Sequence, residues 1–439
     1  MMTAEHKYVN SAKLLLNRIS RSTSPFHAVL TAGEDLDEAG FISLDFSKDW
    51  DTELEYGGKY YVTVYDSTLI AFTIGQTMAD EGNLRLAMAH TDFPCFKIKP
   101  NPEMRQNGYG RINVEPYGGM INYSWLDRPL SVAGKVALKG EDAFHPEVRF
   151  VDFARPIATI PSLAIHMNRE VNKGVEFNHQ RDMLPIVEVL EESLGGEEFF
   201  RAALAKECGA EPEEILDYEL YIYQYEKGEL VGLNETMISS PRLDNITSVT
   251  ACIKGLIQAQ RDKGINLAVI FDHEEVGSRS KQGAGGNSLP YVIERIYEAL
   301  GLSRAQYLKD ITDGFALSVD VAHCMHPNQP DKNDPTNPVK MNGGVTIKMA
   351  ARQSYVSSCE SVATVQQLCA MVGVPCQKFV NRSDIPGGGT LGSIASAYLP
   401  MQMQDVGVAM AGMHSARELM GVKDQYYLEQ LITCLFGFK

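Results

Sequence analysis

The chain lacks the sequence patterns of several common protein classes. No apolar run approaches the roughly 20 residues that a membrane-spanning helix needs. The N-terminal segment has no basic region followed by the apolar core of a signal peptide. Its eight cysteines are dispersed without a CxxC pair, which argues against a zinc ribbon or a disulfide framework and is typical of a reducing compartment. We therefore expect a cytoplasmic protein.

Positive charge and covalent nucleophile motifs are also scarce. Lys and Arg number 40 against 56 Asp and Glu, and the net charge of -16 argues against nucleic acids and anionic membranes as partners. The glycine clusters at 282–288 and 386–390 lack the GK[ST] of a phosphate-binding loop. No GxSxG or Cys–His pattern indicates a covalent nucleophile.

Acidic and histidine residues follow four short apolar runs. "LRLAMA" precedes His90, "NLAVIF" precedes Asp272, "FALSV" precedes Asp320 and "VGVAMAGM" precedes His414. Short apolar runs of this kind predict buried strands. Because open α/β sheets form their sites outside the carboxyl ends of the strands, we expect these residues to meet at one edge and hold metal ions.

The alternation of helix and strand predicts an α/β fold with a mostly parallel sheet flanked by helices. This rhythm is interrupted between the first candidate ligand and Asp244 by short strand-like, glycine-rich stretches. We therefore assign 1–98 and 233–439 to one catalytic domain. The intervening 99–232 is predicted to be an inserted, β-rich domain.

Each candidate ligand also has a simpler structural interpretation. A lone HxD, as in His90-Thr91-Asp92, is more often a turn. Asp244 precedes a helical stretch, where Asp is a favoured N-cap. A single histidine such as His414 is often a satisfied core residue. Their combination favours a metal site with two imidazoles and three carboxylates, from His90, Asp244, Glu275, Asp320 and His414.

The run Asp272-His273-Glu274-Glu275 suggests which residue binds a metal ion and which acts as the general base. Consecutive carboxylates at the end of a buried strand are costly unless they bind a cation or perform chemistry. The alternative is a solvated helix N-terminus. We predict that Glu275 is a ligand and that Glu274 is the general base, which takes a proton from water and returns it to the leaving amine. Asp92 is expected to hold His90 or to orient that base.

Mixed nitrogen and oxygen ligation without thiolates suits two zinc ions, with Mn and Co as alternatives. One ion would take His90 and Asp320, and the other would take Glu275 and His414. Asp244 would bridge the two ions. His323 is predicted to contact the substrate and His326 to be local structure, although their HxxH spacing alone also suits a ligand pair.

Taken together, seven segments of the chain resemble the aspartyl aminopeptidase family of co-catalytic zinc exopeptidases. They are "SPFHAV" at 24–29, "AHTDFPCFKIKP" at 89–100, "IPSLAIHMNR" at 160–169, "SPRLDN" at 240–245, "DHEEVGSRS" at 272–280, "SVDVAHCMHPN" at 318–328 and "MHSARE" at 413–418. The resemblance implies the same metal ligands and the same general base. It also implies a zinc exopeptidase fold and removal of N-terminal residues, often acidic ones, from peptide substrates.

The resemblance further implies that the inserted domain dimerises and that dimers assemble into a homo-oligomer, commonly a dodecamer. It implies that His166 reaches a neighbouring subunit's active site, and that Lys348, with Tyr355 nearby, binds an acidic substrate side chain. Three alternatives stay open. They are an aminopeptidase for neutral residues such as Leu and Met, a deacylase or carboxypeptidase on the same scaffold, and a non-catalytic metal-containing assembly or cargo protein.

Overall fold

A computed structural model describes residues 4–190 and 198–438. The chain divides into two compact units. The first unit comprises Met1–Asp92, Gly228–Met413 and Glu418–Lys439, and the second comprises Phe93–Lys227 and His414–Arg417. The predicted domain boundaries are 98/99 and 232/233, whereas this division changes units at 92/93, 227/228, 413/414 and 417/418. It therefore puts His414–Arg417 in the second unit, although the prediction assigns these residues to the catalytic domain.

The first unit is built on a nine-stranded sheet with the order β1-β2-β3-β13-β4-β14-β18-β16-β17. Five of its strand pairs are parallel and three are antiparallel. The strands are Ile42–Leu44 (β1), Lys59–Val64 (β2), Thr68–Ile74 (β3), Leu84–His90 (β4), Ile265–Phe271 (β13), Phe315–Val319 (β14), Val345–Lys348 (β16), Cys376–Phe379 (β17) and Gln402–Gly407 (β18).

Helices cover both faces of this sheet. Successive residues of β4 show the alternation, because Leu86 and Met88 belong to one buried apolar cluster and Ala87 and Ala89 to the other. The helices are Ala4–Arg21 (α1), Pro25–Glu38 (α2), Leu243–Gln258 (α5), Ser288–Ala299 (α6), Arg304–Thr312 (α7), Cys359–Met371 (α8), Leu391–Ala395 (α9) and Val422–Gly437 (α10). The prediction of a mostly parallel sheet flanked by helices is confirmed.

Local sequence explains where two of these helices begin. Ser24 caps α2 by accepting a hydrogen bond from the His27 N–H, and Pro25 follows at the first helical position. Ser358 and Ser361 form a reciprocal capping box at the start of α8. Among the described residues, no helix is both long enough and apolar enough to span a membrane.

A second, five-stranded sheet of the first unit has the order β11-β12-β20-β19-β15. Its strands are Glu229–Val231 (β11), Met237–Ser240 (β12), Ala322–His323 (β15), Ala409–Ala411 (β19) and Glu418–Gly421 (β20). The run "VGVAMAGM", which the sequence suggested as one strand, is divided between the two sheets. The division falls where a Cβ on Gly407 would stand 1.8 Å from the Asp320 carbonyl oxygen, so only glycine fits this close approach.

The second unit contains a six-stranded sheet with the order β8-β7-β10-β5-β6-β9, in which every pair is antiparallel. Its strands are Cys95–Gln106 (β5), Tyr109–Tyr117 (β6), Leu130–Asp142 (β7), His145–Asp152 (β8), Ile186–Val189 (β9) and Ile215–Gln224 (β10). The helices His179–Asp182 (α3) and Phe199–Cys208 (α4) complete it within the described residues. The prediction that 99–232 is rich in β-structure agrees with this content.

Candidate metal centre

Three neighbouring parallel strands bring the first candidate residues together. Strands β13, β4 and β14 are adjacent, with Phe271 of β13 opposite His90 of β4. Asp272 and Asp320 follow the last residues of β13 and β14. Since the carboxyl ends of parallel strands share one edge of a sheet, all three side chains start from the same edge.

His90 lies at the centre of this group and is fully buried. Its Nδ1 is 3.0 Å from the backbone carbonyl oxygen of Asp92 and 3.3 Å from Asp92 Oδ1. Its Nε2 is 3.4 Å from Asp244 Oδ1 and 3.7 Å from Asp320 Oδ1. Because the Asp92 oxygens hold Nδ1, the other nitrogen is directed toward the carboxylates, as it is in metal-ligating histidines.

Asp92 connects His90 to the acidic turn after β13. Its Oδ1 accepts the backbone N–H of Glu274, and its Oδ2 accepts the backbone N–H of Glu275, both at 3.1 Å. His273 starts the turn in the left-handed conformation, with φ 62°. A single buried carboxylate therefore holds the histidine and both glutamate backbones in place.

Asp244 reaches the same group from the start of α5. The backbone at Asp244 is not helical, with φ −79° and ψ 105°, and its N–H donates to Glu418 Oε2 at 3.0 Å. The next residue, Asn245, donates through Nδ2 to the Val319 carbonyl oxygen at 3.0 Å, directly before Asp320. Glu418 and Asn245 are two buried residues at the site to which the sequence reasoning gave no role.

Within the first unit, two sets of three donor atoms lie close enough to share an ion. One set is His90, Asp244 and Asp320, and the other is His90, Glu274 and Glu275; the atoms of each set are within 4.8 Å of one another. Donor atoms of Asp244 and Glu275 also lie within 4.8 Å of each other. The structure therefore brings together His90, Asp92, Asp244, Glu274, Glu275 and Asp320, which we call the acidic cluster.

The electrostatics of the acidic cluster favour binding of protons or metal cations. The pKa of Glu274 is raised to about 8, chiefly by burial; His90 opposes the rise, and Asp320, Asp92 and Asp244 add to it. Burial acts to lower the pKa of His90, but hydrogen bonds to Asp244, Asp320 and Asp92 hold it well above the ordinary 6.5. Nitrogen and carboxylate donors without a thiolate form a set that zinc accepts, so the residues present fit zinc.

Lys348, Tyr355 and His323 also lie together in the first unit. The Lys348 ammonium is 3.1 Å from Asp320 Oδ2 and 4.8 Å from the centroid of the Tyr355 ring. The Phe379 ring is 5.0 Å from the exposed His323 ring and 6.0 Å from that of Tyr355. Phe379 is a further residue that the sequence reasoning missed, because an isolated aromatic at the end of a strand carries no local signal. His326 is exposed and accepts the Asn328 N–H at Nδ1, a local contact.

Two predicted residues belong to the second unit. His414 Nδ1 is 2.9 Å from the Gly119 carbonyl oxygen, which leaves Nε2 as the nitrogen able to ligate. The Ile121 N–H in turn donates to the His414 carbonyl oxygen at 2.9 Å. His166 is exposed in a turn that follows Ala164. The Gly119 contact was not predicted, because nearly three hundred residues of chain separate its two partners.

Comparison with known proteins identifies the family. Residues 18–436 match the family model described as aminopeptidase I zinc metalloprotease (M18). A probable M18 family aminopeptidase 2 from Clostridium novyi strain NT is 44% identical over 420 residues, which is 95% of this chain and 96% of that protein. A protein of the same name from Clostridium acetobutylicum is 41% identical, with the same coverage of both chains.

Solved structures give the same result for the fold. A chain of the cryo-EM structure of the Ape4 and Nbr1 complex superposes with a TM-score of 0.94 at 32% identity, covering 98% of this chain and 86% of that one. The structure of the S. cerevisiae mApe1 dodecamer superposes with a TM-score of 0.84 at 26% identity, covering 97% of this chain and 96% of that one. With a family match over nearly its whole length, this chain belongs to the M18 family and is a zinc-dependent aminopeptidase.

Proposed function

We propose that this aminopeptidase uses two zinc ions and that Glu274 is its general base. The observation that carries this proposal is the position of Asp244, whose donor atoms lie within 4.8 Å of those of His90 and Asp320 and also of Glu275. His90 and Asp320 are assigned to one ion, and Glu275 and His414 to the other. Asp244 is assigned as the bridge, because it lies near the first pair and its donor atom also lies within 4.8 Å of Glu275.

The residues of the acidic cluster divide the work of peptide hydrolysis. When bound, a pair of zinc ions supplies Lewis-acid activation of water and of the scissile carbonyl. Glu274 takes a proton from the attacking water and delivers it to the leaving amine. Asp92 accepts the Glu274 backbone N–H through Oδ1 and also contacts His90. It therefore keeps the general base and the metal ligand in a fixed position relative to each other. We propose that His323 or His166 assists by donating a hydrogen bond to the developing oxyanion.

The first-residue preference is the finer part of the proposal. An acidic preference is supported by the grouping of Lys348, Tyr355 and His323 around Phe379. A preference for neutral residues is favoured by a different observation, since the Lys348 ammonium is already paired with Asp320. Aminoacyl chromogenic substrates of Asp, Glu, Leu, Met and Lys separate the two, because only a pocket with an available cation cleaves the Asp and Glu substrates best.

The proposal also covers the oligomeric state and the cellular location of the protein. We propose a homo-oligomer, with twelve subunits as in the S. cerevisiae mApe1 dodecamer, in which the β-rich inserted domain makes the dimer contact. Eight free cysteines support a cytoplasmic location. Sedimentation velocity of the purified chain measures the assembly directly, and a stable monomer would reject it.

Chelation tests the central claim on the unmodified protein. We expect a chelator to abolish cleavage of a peptide with a free N-terminus and zinc to restore it. The N-acetylated form of the same peptide should stay intact, because an aminopeptidase requires the free amine. Cleavage of the acetylated peptide would indicate a deacylase or another peptidase, and undiminished turnover after complete zinc removal would reject the two-zinc mechanism.

A further inference from the structure

The Lys348 ammonium donates hydrogen bonds to oxygen atoms of the protein. Lys348 is the last residue of β16 and is only 2% exposed. Its ammonium lies 3.1 Å from Asp320 Oδ2, 3.4 Å from the Asp320 carbonyl oxygen and 2.8 Å from the Val321 carbonyl oxygen. An ammonium has three N–H donors, so these three acceptors match its full capacity.

These contacts all fall on the segment that carries a proposed zinc ligand. The ammonium holds Asp320 Oδ2, while Oδ1 of the same carboxylate faces His90 Nε2 at 3.7 Å. The Asp320 N–H donates to the Val406 carbonyl oxygen at 2.9 Å, so the neighbouring strand β18 holds the Asp320 backbone as well. With Oδ2 held by Lys348, Oδ1 is the Asp320 oxygen that faces the acidic cluster.

The neighbours of Lys348 keep the ammonium in this position. The Tyr355 ring lies 4.8 Å from Nζ, close enough for a cation–π contact. Gln404 Nε2 donates to the Lys348 carbonyl oxygen at 2.8 Å, which anchors the backbone. A substrate carboxylate could reach this ammonium only by displacing an oxygen that is already bound to it.

We infer that Lys348 is a positioning residue for the ligand Asp320 and serves zinc binding with every substrate, rather than acting as the cation that selects acidic ones. This inference rests on the proposed two-zinc site. Ligating carboxylates are commonly hydrogen-bonded by outer partners, whose loss typically reduces metal affinity by roughly 10–100-fold. The expected consequence of removing the ammonium is a weaker zinc site with an unaltered ratio of acidic to neutral turnover.

Lys348→Met, of similar length but without charge, tests this inference. Zinc affinity is measured by competition with a chromophoric chelator, and kcat/KM is measured with Asp, Glu, Leu and Met substrates. We expect zinc affinity to fall by roughly 10–100-fold, and turnover of all four substrates at limiting zinc to fall by a common factor. Lys340→Met is the control, because that lysine is exposed and its hydrogen bonds with Gln377 are made by its backbone.

If Lys348 instead binds the acidic side chain of the substrate, the same measurements give a different result. Unchanged zinc affinity with a loss confined to the Asp and Glu substrates would overturn the inference, as would any selective loss on those substrates. If Lys348→Met does not fold, Lys348→Arg replaces it, since arginine keeps the charge and the donors. Relative to the unmodified protein, Lys348→Arg should then change acidic and neutral turnover by a common factor, and a changed ratio with normal zinc binding would again overturn the inference. Failure of the two-zinc proposal itself would show separately, as chelator-resistant turnover of the unmodified protein.

Discussion

Two buried polar clusters of the first unit hold carboxylates in opposite ways. The helix cluster consists of Ser11, Lys254, Gln425 and Glu429. In it, the Glu429 carboxylate accepts hydrogen bonds from the Lys254 ammonium at 2.6 Å, the Ser11 hydroxyl at 2.7 Å and the Gln425 amide at 3.2 Å. In the acidic cluster, five carboxylates surround one imidazole, and the Lys348 ammonium pairs with one of them, that of Asp320.

The difference separates a structural role from a functional one. A buried carboxylate with matched donors is neutralised within the protein and needs no further partner. Carboxylates crowded without matching cations repel one another and favour the binding of protons or metal ions. The excess of carboxylates in the acidic cluster is therefore the physical basis of a metal site, whereas the balanced helix cluster connects α1, α5 and α10. The following predictions test this contrast.

The largest expected effect comes from the proposed base. Glu274→Gln should reduce kcat by roughly 10²–10⁴-fold, because the amide cannot accept the proton of the attacking water. Zinc content should stay at the level of the unmodified protein, because Glu275 and the other ligands remain. Measuring the zinc content per chain together with kcat shows whether Glu274 acts as the base or as a ligand. The exposed Glu213 supplies the matched Glu→Gln control, and normal turnover of Glu274→Gln would remove Glu274 from the mechanism.

Asp244→Asn should affect the loaded and metal-free proteins differently. Loss of one carboxylate from the acidic cluster relieves repulsion, so the metal-free protein should be at least as stable as before. Zinc should no longer raise the melting temperature, since stabilisation by a ligand depends on its affinity for the folded state. Thermal melts with zinc and with chelator measure both effects, and Asp51→Asn on the surface is the control. A variant that zinc still stabilises fully would show that Asp244 is not the bridge.

The helix cluster should respond in the reverse way. Lys254→Met leaves Glu429 buried without its ammonium and should lower the free energy of unfolding by about 2 kcal/mol; this is below the 3–5 kcal/mol of fully buried pairs because Lys254 is 20% exposed. Zinc content and kcat should not change. Denaturant unfolding measures the loss, and Lys13→Met on the exposed face of α1 is the control. Adding Glu429→Gln should recover much of the stability, and loss of zinc in Lys254→Met would erase the contrast between the clusters.

Local patterns predicted one part of the acidic cluster and not another. Continuous apolar runs marked β4, β13 and β14 as buried strands, and the shared edge of parallel strands then placed His90 with Asp320. The pairing of Lys348 with Asp320, and that of Glu418 with the Asp244 N–H, could not be predicted. Each joins segments far apart in the chain, and nothing in "VTIK" or "SARE" states which strand lies opposite.

The change of sheets after β18 was missed for a related reason. The apolar run from Val406 to Met413 has the composition of one strand, and the periodicity does not show where it leaves the large sheet. What decides the point is the tight approach of Gly407 to the Asp320 carbonyl oxygen, a tertiary contact. A glycine inside an apolar run signals close backbone approach in general, but not its partner.

The last prediction is a pH dependence of zinc binding that the helix cluster should not share. The carboxylates hold the pKa of His90 well above 6.5, and the pKa of Glu274 is about 8. Zinc accepts only a neutral imidazole, so zinc binding must release the proton of His90. Zinc binding also releases the proton of Glu274. Between about pH 6.5 and 8 the folded metal-free chain therefore binds more protons than the unfolded chain, and its stability should fall as pH rises. Zinc affinity should rise over the same range, by about tenfold per pH unit for each proton released. The gap between the melting temperatures with zinc and with chelator should thus widen toward pH 8 in the unmodified protein and equally in Lys254→Met, and a constant gap would mean that the acidic cluster holds no such protons.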